Sequence, residues 1–157
     1  MSSLTLGRAY LDVKVPGGPP GKPRRGLLAR AHRPIGQDVL VTELEHSERP
    51  WGSYTVLSAG DTFKIKTIEV HPSQRLSYQK HARRAEHWFV VAGEGVVTLD
   101  GADVAVKPGQ AVDVGLGVAH RIHNTGSEPL VFVEVQHGDY FGEDDIVRLE
   151  DDYGRSG

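Results

Sequence analysis

Four side chains with metal-binding donor atoms fall into two short motifs of this 157-residue chain. The first motif contains Gln79, His81 and Glu86, and the second contains His120. Residues two apart in a strand point to the same face, so Gln79 and His81 project together. A turn at residues 82–85 would return the chain antiparallel and place Glu86 opposite His81. These spacings predict a site for a divalent metal ion, provided that a distant strand brings His120 close.

An isolated histidine is more often a hydrogen-bonded wall residue than a ligand, but four donors at these spacings favour a metal. The other histidines of the two motifs do not share this pattern. His87 follows Glu86 and His123 follows His120 by three positions, so strand alternation turns both away from the predicted ligands. We therefore expect His87 and His123 to be structural or surface groups, and His137 is not among the predicted ligands either.

Composition restricts the classes of function. The formal net charge of −3 gives no basic field for nucleic acid, and the absence of cysteine excludes disulfides, thiolate catalysis and cysteine-ligated metal. No stretch approaches the roughly 20 apolar residues of a membrane span, and the N-terminus lacks the apolar core of a secretory signal. The chain has the length of one domain. We expect a cytoplasmic protein that binds neither nucleic acid nor membrane.

The chain divides into two parts of different character. Residues 1–48 form an N-terminal extension, in which residues 15–26 contain so many prolines and glycines that neither a helix nor a central strand can form. Residues 4–15 could form an edge strand, and a basic cluster in the extension is expected to face water. That cluster consists of Lys22, Arg24, Arg25 and Arg30. Residues 49–157 form the predicted folded domain.

Strand signals dominate from residue 51 onward. Runs rich in Val, Ile, Thr and aromatic residues alternate with glycine-containing turns, which is typical of an all-β barrel or sandwich. The predicted strands are residues 53–58, 62–71, 75–80, 87–92, 95–99, 102–106, 111–114, 119–123 and 130–136. Helical periodicity is scarce, and only residues 36–48 and 144–151 are candidates for helix.

The two motifs resemble those of the cupin superfamily, with Gln79 in place of the usual first histidine and Gly115 in place of the usual proline. The surrounding sequence, over about residues 49–155, closely resembles that of type II mannose-6-phosphate isomerases. The matching segments are Arg49-Pro-Trp-Gly52, Arg75-Leu-Ser77, Arg84-Ala-Glu-His-Trp88, His120-Arg121 with Asn124, Glu134-Val-Gln-His-Gly138, Gly142-Glu-Asp-Asp-Ile-Val-Arg148 and Asp152-Tyr-Gly-Arg155.

This resemblance implies a fold, a reaction and a cofactor. The fold would be a double-stranded β-helix, that is, a cupin or jelly-roll barrel. The reaction would interconvert mannose 6-phosphate and fructose 6-phosphate, without the guanylyltransferase activity that many relatives carry in a second domain. The implied metal ligands are Gln79, His81, Glu86 and His120. Zinc suits this donor set best, and manganese, cobalt, nickel and iron are alternatives.

An aldose–ketose isomerase needs a base near carbon 1 and carbon 2, positive charge near the developing enediolate, and cations for the phosphate. The predicted substrate-binding residues are Lys66, Arg75, Arg84 and Arg121. The predicted catalytic residues are Lys66, Arg121 and Glu86. The general base stays open between a metal-bound hydroxide, a pocket lysine and a histidine, because a metal-bound Glu86 would be a poor base.

Two other functions compete with the isomerase, since cupins carry many chemistries. The first is a non-catalytic, metal-containing cupin that binds a sugar or another small metabolite. The second is a metal-dependent dioxygenase, in which two histidines and a carboxylate hold iron. The presence of Gln79 and the isomerase-like sequence around the motifs both argue against the dioxygenase. We also expect the chain to form a homodimer.

Overall fold

The computed structural model describes residues 45–155, which form strands and one short 3-10 helix. In chain order the elements are β1 (His46–Arg49), β2 (Gly52–Ala59), β3 (Phe63–Val70), β4 (Tyr78–His81), β5 (Arg84–Ala92), β6 (Gly95–Leu99), β7 (Ala102–Val106), β8 (Ala111–Val114), β9 (His120–Asn124), β10 (Leu130–Gly138), the helix η1 (Glu143–Asp145) and β11 (Ile146–Glu150). The predicted edge strand at 4–15, the linker at 15–26 and the basic cluster lie outside the described residues.

The strands form two antiparallel sheets. The first has the order β1-β2-β3-β10-β5-β8, and the second has the order β11-β4-β9-β6-β7. One hydrophobic core takes buried side chains from both sheets, such as Val90 and Phe132 from the first and Val97 and Ile122 from the second. The all-β architecture predicted from the sequence is confirmed. Within residues 45–155 no helix is long and apolar enough to span a bilayer.

The interior changes from apolar to polar along the strands. The inward side chains of β5 run from Val90 and Trp88 to Glu86 and Arg84, and all four are buried. Strand β10 repeats this order with Leu130, Phe132, Glu134 and Gln136. The register pairs Gln136 with Glu86 and Glu134 with both Trp88 and Lys66. The polar ends of β3, β10 and β5 therefore lie side by side at one end of the interior.

The turn at residues 82–85 does not form the expected hairpin. Strand β4 belongs to the second sheet, whereas β5 belongs to the first, where it pairs with β10 and β8. The chain thus crosses from one sheet to the other between His81 and Arg84. His81 and Glu86 approach each other across the interior rather than along a ladder, and β5 begins three residues before the predicted start at 87.

The candidate helix at residues 144–151 is not helical over most of its length. Only Glu143–Asp145 is helical, and Ile146–Glu150 is strand β11, because it pairs with the edge of β4. The described end of the other candidate helix, residues 36–48, is also a strand, since β1 pairs with β2. The predicted strand at 75–80 is extended only from Tyr78, apart from an isolated bridge between Arg75 and His123. The domain boundary at residue 49 stays a prediction.

Asn124, a motif residue without an assigned function, connects three chain segments at the apolar end. Its side chain is fully buried, and its Nδ2 donates to the carbonyl oxygens of Val70 and Glu128, each at 2.8 Å. Its Oδ1 accepts from the backbone N–H of Gly126 at 2.9 Å. Asn124 therefore satisfies backbone groups at the end of β3 and in the loop that leads to β10.

Replacing this amide tests its structural contribution. We expect Asn124→Ala to lower the free energy of unfolding by about 3 kcal/mol, because three backbone groups lose their partners and the bond to the Val70 carbonyl is fully buried. Urea denaturation measures the change, and Thr125→Ala at the exposed neighbouring position is the control. A loss equal to that of the control would contradict the assigned structural function of Asn124.

Candidate functional site

A pocket opens at the polar end of the interior, between the two sheets. The first sheet contributes Arg49, Tyr54, Lys66, Ile68, Arg84, Glu86, Glu134 and Gln136. The remainder of the chain contributes Trp51, Leu76, Ser77, Gln79, Glu143, Ile146, Arg148 and Arg155. Five cationic side chains and three carboxylates thus face one cavity. Such a lining suits a small anionic molecule.

Two histidines and a carboxylate converge beside this pocket. His81 on β4, Glu86 on β5 and His120 on β9 each place a donor atom within 4.8 Å of the others. The His81 Nε2 atom lies 3.2 Å from Glu86 Oε1, and His120 Nε2 lies 3.5 Å from Glu86 Oε2. All three side chains are at most 2% exposed. This buried group could hold a metal ion, as the sequence predicted.

The hydrogen bonds around His120 leave one nitrogen free for such an ion. Its Nδ1 lies 2.9 Å from the carbonyl oxygen of Val118, which can only accept, so Nδ1 carries the proton. In the neutral ring the lone pair is then on Nε2, which faces Glu86. Within residues 45–155, His120 Nε2 and both ring nitrogens of His81 are buried without a hydrogen-bond partner. Buried polar atoms are rarely left unpaired, so these nitrogens fit metal ligation.

The electrostatics of the cluster favour an added positive charge. Burial alone would raise the pKa of Glu86, but its contacts with His120 and His81 hold that pKa well below the usual range. Burial likewise opposes the charged form of His120, yet the Glu86 carboxylate raises the pKa of His120 above its ordinary value. A proton on an imidazole or a bound cation would each supply the positive charge that stabilises the buried Glu86 carboxylate.

Gln79, the fourth predicted ligand, lies beside the cluster. It is paired with His120 in the register of β4 and β9, and its side chain lines the pocket. The Ser77 hydroxyl donates to Gln79 Oε1 at 2.8 Å, which orients the amide. A carbonyl oxygen has a second lone pair, so this bond leaves Gln79 Oε1 able to bind a cation.

Three further side chains position Glu86. Gln136 Nε2 donates to Glu86 Oε1 at 3.0 Å, and Trp88 Nε1 donates to Glu86 Oε2 at 3.1 Å. Arg84 Nε lies 3.5 Å from Glu86 Oε1, and Arg84 Nη1 donates to the carbonyl of Gly142 at 3.1 Å. The sequence interpretation selected Arg84 as a substrate-binding residue but did not predict that Arg84, Gln136 or Trp88 supports Glu86. The alternation of β5 and β10 places all three on the inner face.

The loop before His120 is held without the usual proline at position 115. The N–H of Gly117 donates to the carbonyl of His81 at 2.7 Å, which connects the loop directly to another ligand. Two hydrogen bonds also connect Ala119 to Asp100, since the Ala119 N–H donates to the Asp100 side-chain carboxylate and the Asp100 N–H donates to the Ala119 carbonyl. These bonds fix the backbone on both sides of the loop, so His120 does not depend on a rigid residue at 115.

Lys66 and Glu134 form a second polar pair in the pocket. Lys66 Nζ lies 3.5 Å from Glu134 Oε2 and 4.9 Å from the ring centre of Tyr54. Burial and the nearby Glu86 raise the pKa of Glu134 to about 7, although Lys66 opposes this shift. Lys66 was predicted from the sequence, whereas Glu134 was not. The available signal was the segment Glu134-Val-Gln-His-Gly138, which is one of those that carried the family resemblance.

The four predicted substrate-binding residues separate into two places. Lys66 and Arg84 line the pocket, but Arg75 and Arg121 do not, and Arg121 had also been predicted to be catalytic. Both lie on the outer face of the second sheet, where they line a separate hollow. Strand alternation explains the position of Arg121, because His120 points inward. Arg121 pairs with Glu150 at 2.8 Å and Arg75 with Asp152 at 2.6 Å.

The pocket also contains three cations that the sequence interpretation did not select, namely Arg49, Arg148 and Arg155. Arg148 ends one of the segments that carried the family resemblance, but it lay in the candidate helix at 144–151 and was not assigned to the site. Which side chains of β11 face the pocket can be deduced only once the pairing of β11 with β4 is known.

Comparison with known proteins agrees with this geometry. The family model described as mannose-6-phosphate isomerase C-terminal matches residues 35–151. The chain belongs to this family. It is 48% identical over 139 residues to the alginate biosynthesis protein AlgA of Pseudomonas aeruginosa, an alignment covering 80% of this chain and 29% of AlgA. It is 46% identical over 107 residues to mannose-1-phosphate guanylyltransferase of Escherichia coli, covering 68% and 22% respectively.

This member of the mannose-6-phosphate isomerase C-terminal family thus spans less than a third of the length of these relatives. Its fold resembles that of a Klebsiella pneumoniae protein with a double-stranded β-helix domain, with a TM-score of 0.56 and 23% identity. That alignment covers 62% of this chain and 83% of the other. The predicted family and the predicted double-stranded β-helix are both confirmed.

The metal-binding capacity of the cluster can be tested by removing one imidazole. We expect His81→Ala to weaken binding of a divalent metal by at least about 100-fold, because even residues behind the ligands contribute 10- to 100-fold. Chelator competition and metal content after dialysis measure the change. His87→Ala is the matched control, since His87 is exposed and contacts Asp113 instead. Equal metal affinity in the two variants would exclude His81 as a ligand.

Proposed function

We propose that this chain is a metal-dependent aldose–ketose isomerase that interconverts mannose 6-phosphate and fructose 6-phosphate, or a related sugar phosphate. The observation that carries the proposal is the buried His81–Glu86–His120 cluster beside a pocket with a cationic lining, in a chain of this family. Family membership supports the reaction class, and the charge of the pocket supports a phosphorylated substrate.

We propose a divalent metal held by Gln79, His81, Glu86 and His120. The donor set is an amide oxygen, two imidazoles and a carboxylate, which suits zinc and is also compatible with manganese, cobalt, nickel or iron. The unpaired buried nitrogens of the two histidines fit this arrangement. When bound, the metal supplies a Lewis acid that polarises the substrate carbonyl.

In this mechanism the reaction moves a proton between carbon 1 and carbon 2 through a cis-enediol. The pair Lys66–Glu134 lies in the same pocket and offers one proton donor beside one carboxylate acceptor. The Glu134 carboxylate can take the proton from one carbon and return it to the other, and Lys66 Nζ can donate to the substrate oxygen on which negative charge develops. Glu86 acts as a metal ligand rather than as the base.

The remaining residues of the pocket hold these groups in place. Gln136 and Trp88 orient the Glu86 carboxylate, and Arg84 connects Glu86 to the chain before η1. The core residues below them exclude water from the cluster, which strengthens its electrostatic interactions. The cytoplasmic location and the homodimer that the sequence suggested stay predictions.

A coupled assay tests the activity directly. Purified protein should form fructose 6-phosphate from mannose 6-phosphate, chelator treatment should abolish turnover, and a divalent metal should restore it. The Glu86→Gln variant should stay inactive with any added metal, because it lacks the anionic ligand. Metal binding without turnover on this substrate or related sugar phosphates would reject the isomerase and favour the metal-containing binding protein.

Lys66 can be tested separately from the metal. We expect Lys66→Met to lower kcat by at least about 100-fold, because a positioned proton donor contributes that much or more, while metal content stays unchanged. Lys80→Met is the control, since Lys80 lies on the exposed face of β4. Thermal unfolding establishes that both variants are folded. A folded Lys66→Met variant with the kcat of the control would exclude Lys66 from catalysis.

A further inference from the structure

The C-terminal strand β11 adds one arginine to the pocket from the edge of the second sheet. Arg148 is paired with Gln79 in the register of β11 and β4, so both side chains project from the same face. The neighbours Val147 and Leu149 point the other way and are 49% and 48% exposed. Strand alternation thus directs Arg148 into the pocket, one strand away from a proposed metal ligand.

The guanidinium of Arg148 has few partners among the described residues. Its Nε is buried and makes no hydrogen bond within residues 45–155. Its Nη2 lies 3.5 Å from Glu143 Oε2, at the outer limit of a hydrogen bond. The Arg148 side chain is only 14% exposed, whereas Glu143 is 66% exposed. A buried cation with an unfilled N–H is costly unless an anion supplies the missing contacts.

Two neighbouring arginines in the pocket are more fully engaged. Arg84 contacts Glu86 and donates to the Gly142 carbonyl, and Arg155 forms several hydrogen bonds with Asp151. Moving either one onto a ligand would break these contacts. Arg148 would lose only its long contact with Glu143, so it can accept a new anion at a smaller cost than Arg84 or Arg155.

We propose that Arg148 binds the phosphate group of the substrate and that Glu143 competes with the phosphate for the same guanidinium. This inference rests on the proposed function for the identity of the ligand as a sugar phosphate. The planar guanidinium of arginine can donate to two phosphate oxygens at once. Its contact with Glu143 involves only one carboxylate oxygen, at 3.5 Å, and so does not use this geometry. Because Glu143 is exposed, it can turn into water when the phosphate arrives.

The proposal predicts opposite effects for the two partners. Calorimetry on the metal-loaded protein would measure binding of mannose 6-phosphate, mannose and inorganic phosphate. Arg148→Gln should lower the affinity for mannose 6-phosphate and for inorganic phosphate by about 10- to 100-fold, because hydrogen bonds to charged groups have that strength. The affinity for mannose should not change. Glu143→Gln should raise the affinity for both phosphate ligands several-fold, since it removes a competing negative charge. Arg148→Lys should fall between Arg148→Gln and the unmodified protein.

Arg83→Gln is the matched control, because it removes one positive charge from an exposed arginine that pairs with Asp139 outside the pocket. Binding of phosphate ligands should be the same in this variant as in the unmodified protein. Thermal unfolding establishes that each variant is folded. An Arg148→Gln variant that is folded and binds both phosphate ligands like the control would overturn the proposal, as would weaker binding in Glu143→Gln.

The result is separable from the proposed isomerase. If phosphate binding depends on Arg148 while no turnover occurs with any metal, the anion subsite stands and the isomerase falls. If turnover occurs with the same KM in Arg148→Gln as in the unmodified protein, the isomerase stands and the subsite falls.

Discussion

The buried carboxylate of Glu86 is the constraint on which the site depends. An ionised carboxylate inside a protein costs several kcal/mol unless positive or hydrogen-donating groups surround it. Here His81 and His120 face its two oxygens, Gln136 and Trp88 donate to them, and Arg84 lies beside one of them. The two imidazoles retain unpaired nitrogens, so this environment is completed most simply by a cation shared among the three residues.

The fold places that charge by dividing one interior into two ends. Alternation along β5 and β10 turns apolar residues inward at one end and polar residues inward at the other. The apolar end is closed by a core to which both sheets contribute, and Asn124 fixes the backbone there. The polar end stays open as a pocket, and η1 and β11 complete its wall. The same strands therefore provide the stability of the domain and the position of its chemistry.

The residues that could be predicted were those whose positions depend on local spacing. Gln79 and His81 share a face of one short strand, and their motif together with that of His120 carried the family resemblance. What failed depended on long-range pairing. The chain from 144 to 151 was interpreted as a candidate helix, and only its pairing with β4 makes it a strand that directs Arg148 inward. The local sequence also gives no indication that the chain crosses from one sheet to the other after His81.

Strand alternation explains why Arg121 lies outside the pocket. It was selected because it follows a ligand, but a neighbour in a strand faces the opposite side, as the sequence argument had already recognised for His87 beside Glu86. The same rule would have selected Glu134 and Gln136 if the inward phase of β10 had been known. That phase is set by the register with β5, which pairs Gln136 with Glu86, and such a register between distant segments is not legible in one sequence.

The most direct measurement of the central claim is a crystal structure of the metal-loaded protein with anomalous diffraction data. The account predicts one ion within about 2.0–2.2 Å of Gln79 Oε1, of a Glu86 carboxylate oxygen and of one ring nitrogen each from His81 and His120. An ion bound elsewhere, or an ion-free cluster in crystals grown with saturating metal, would contradict it.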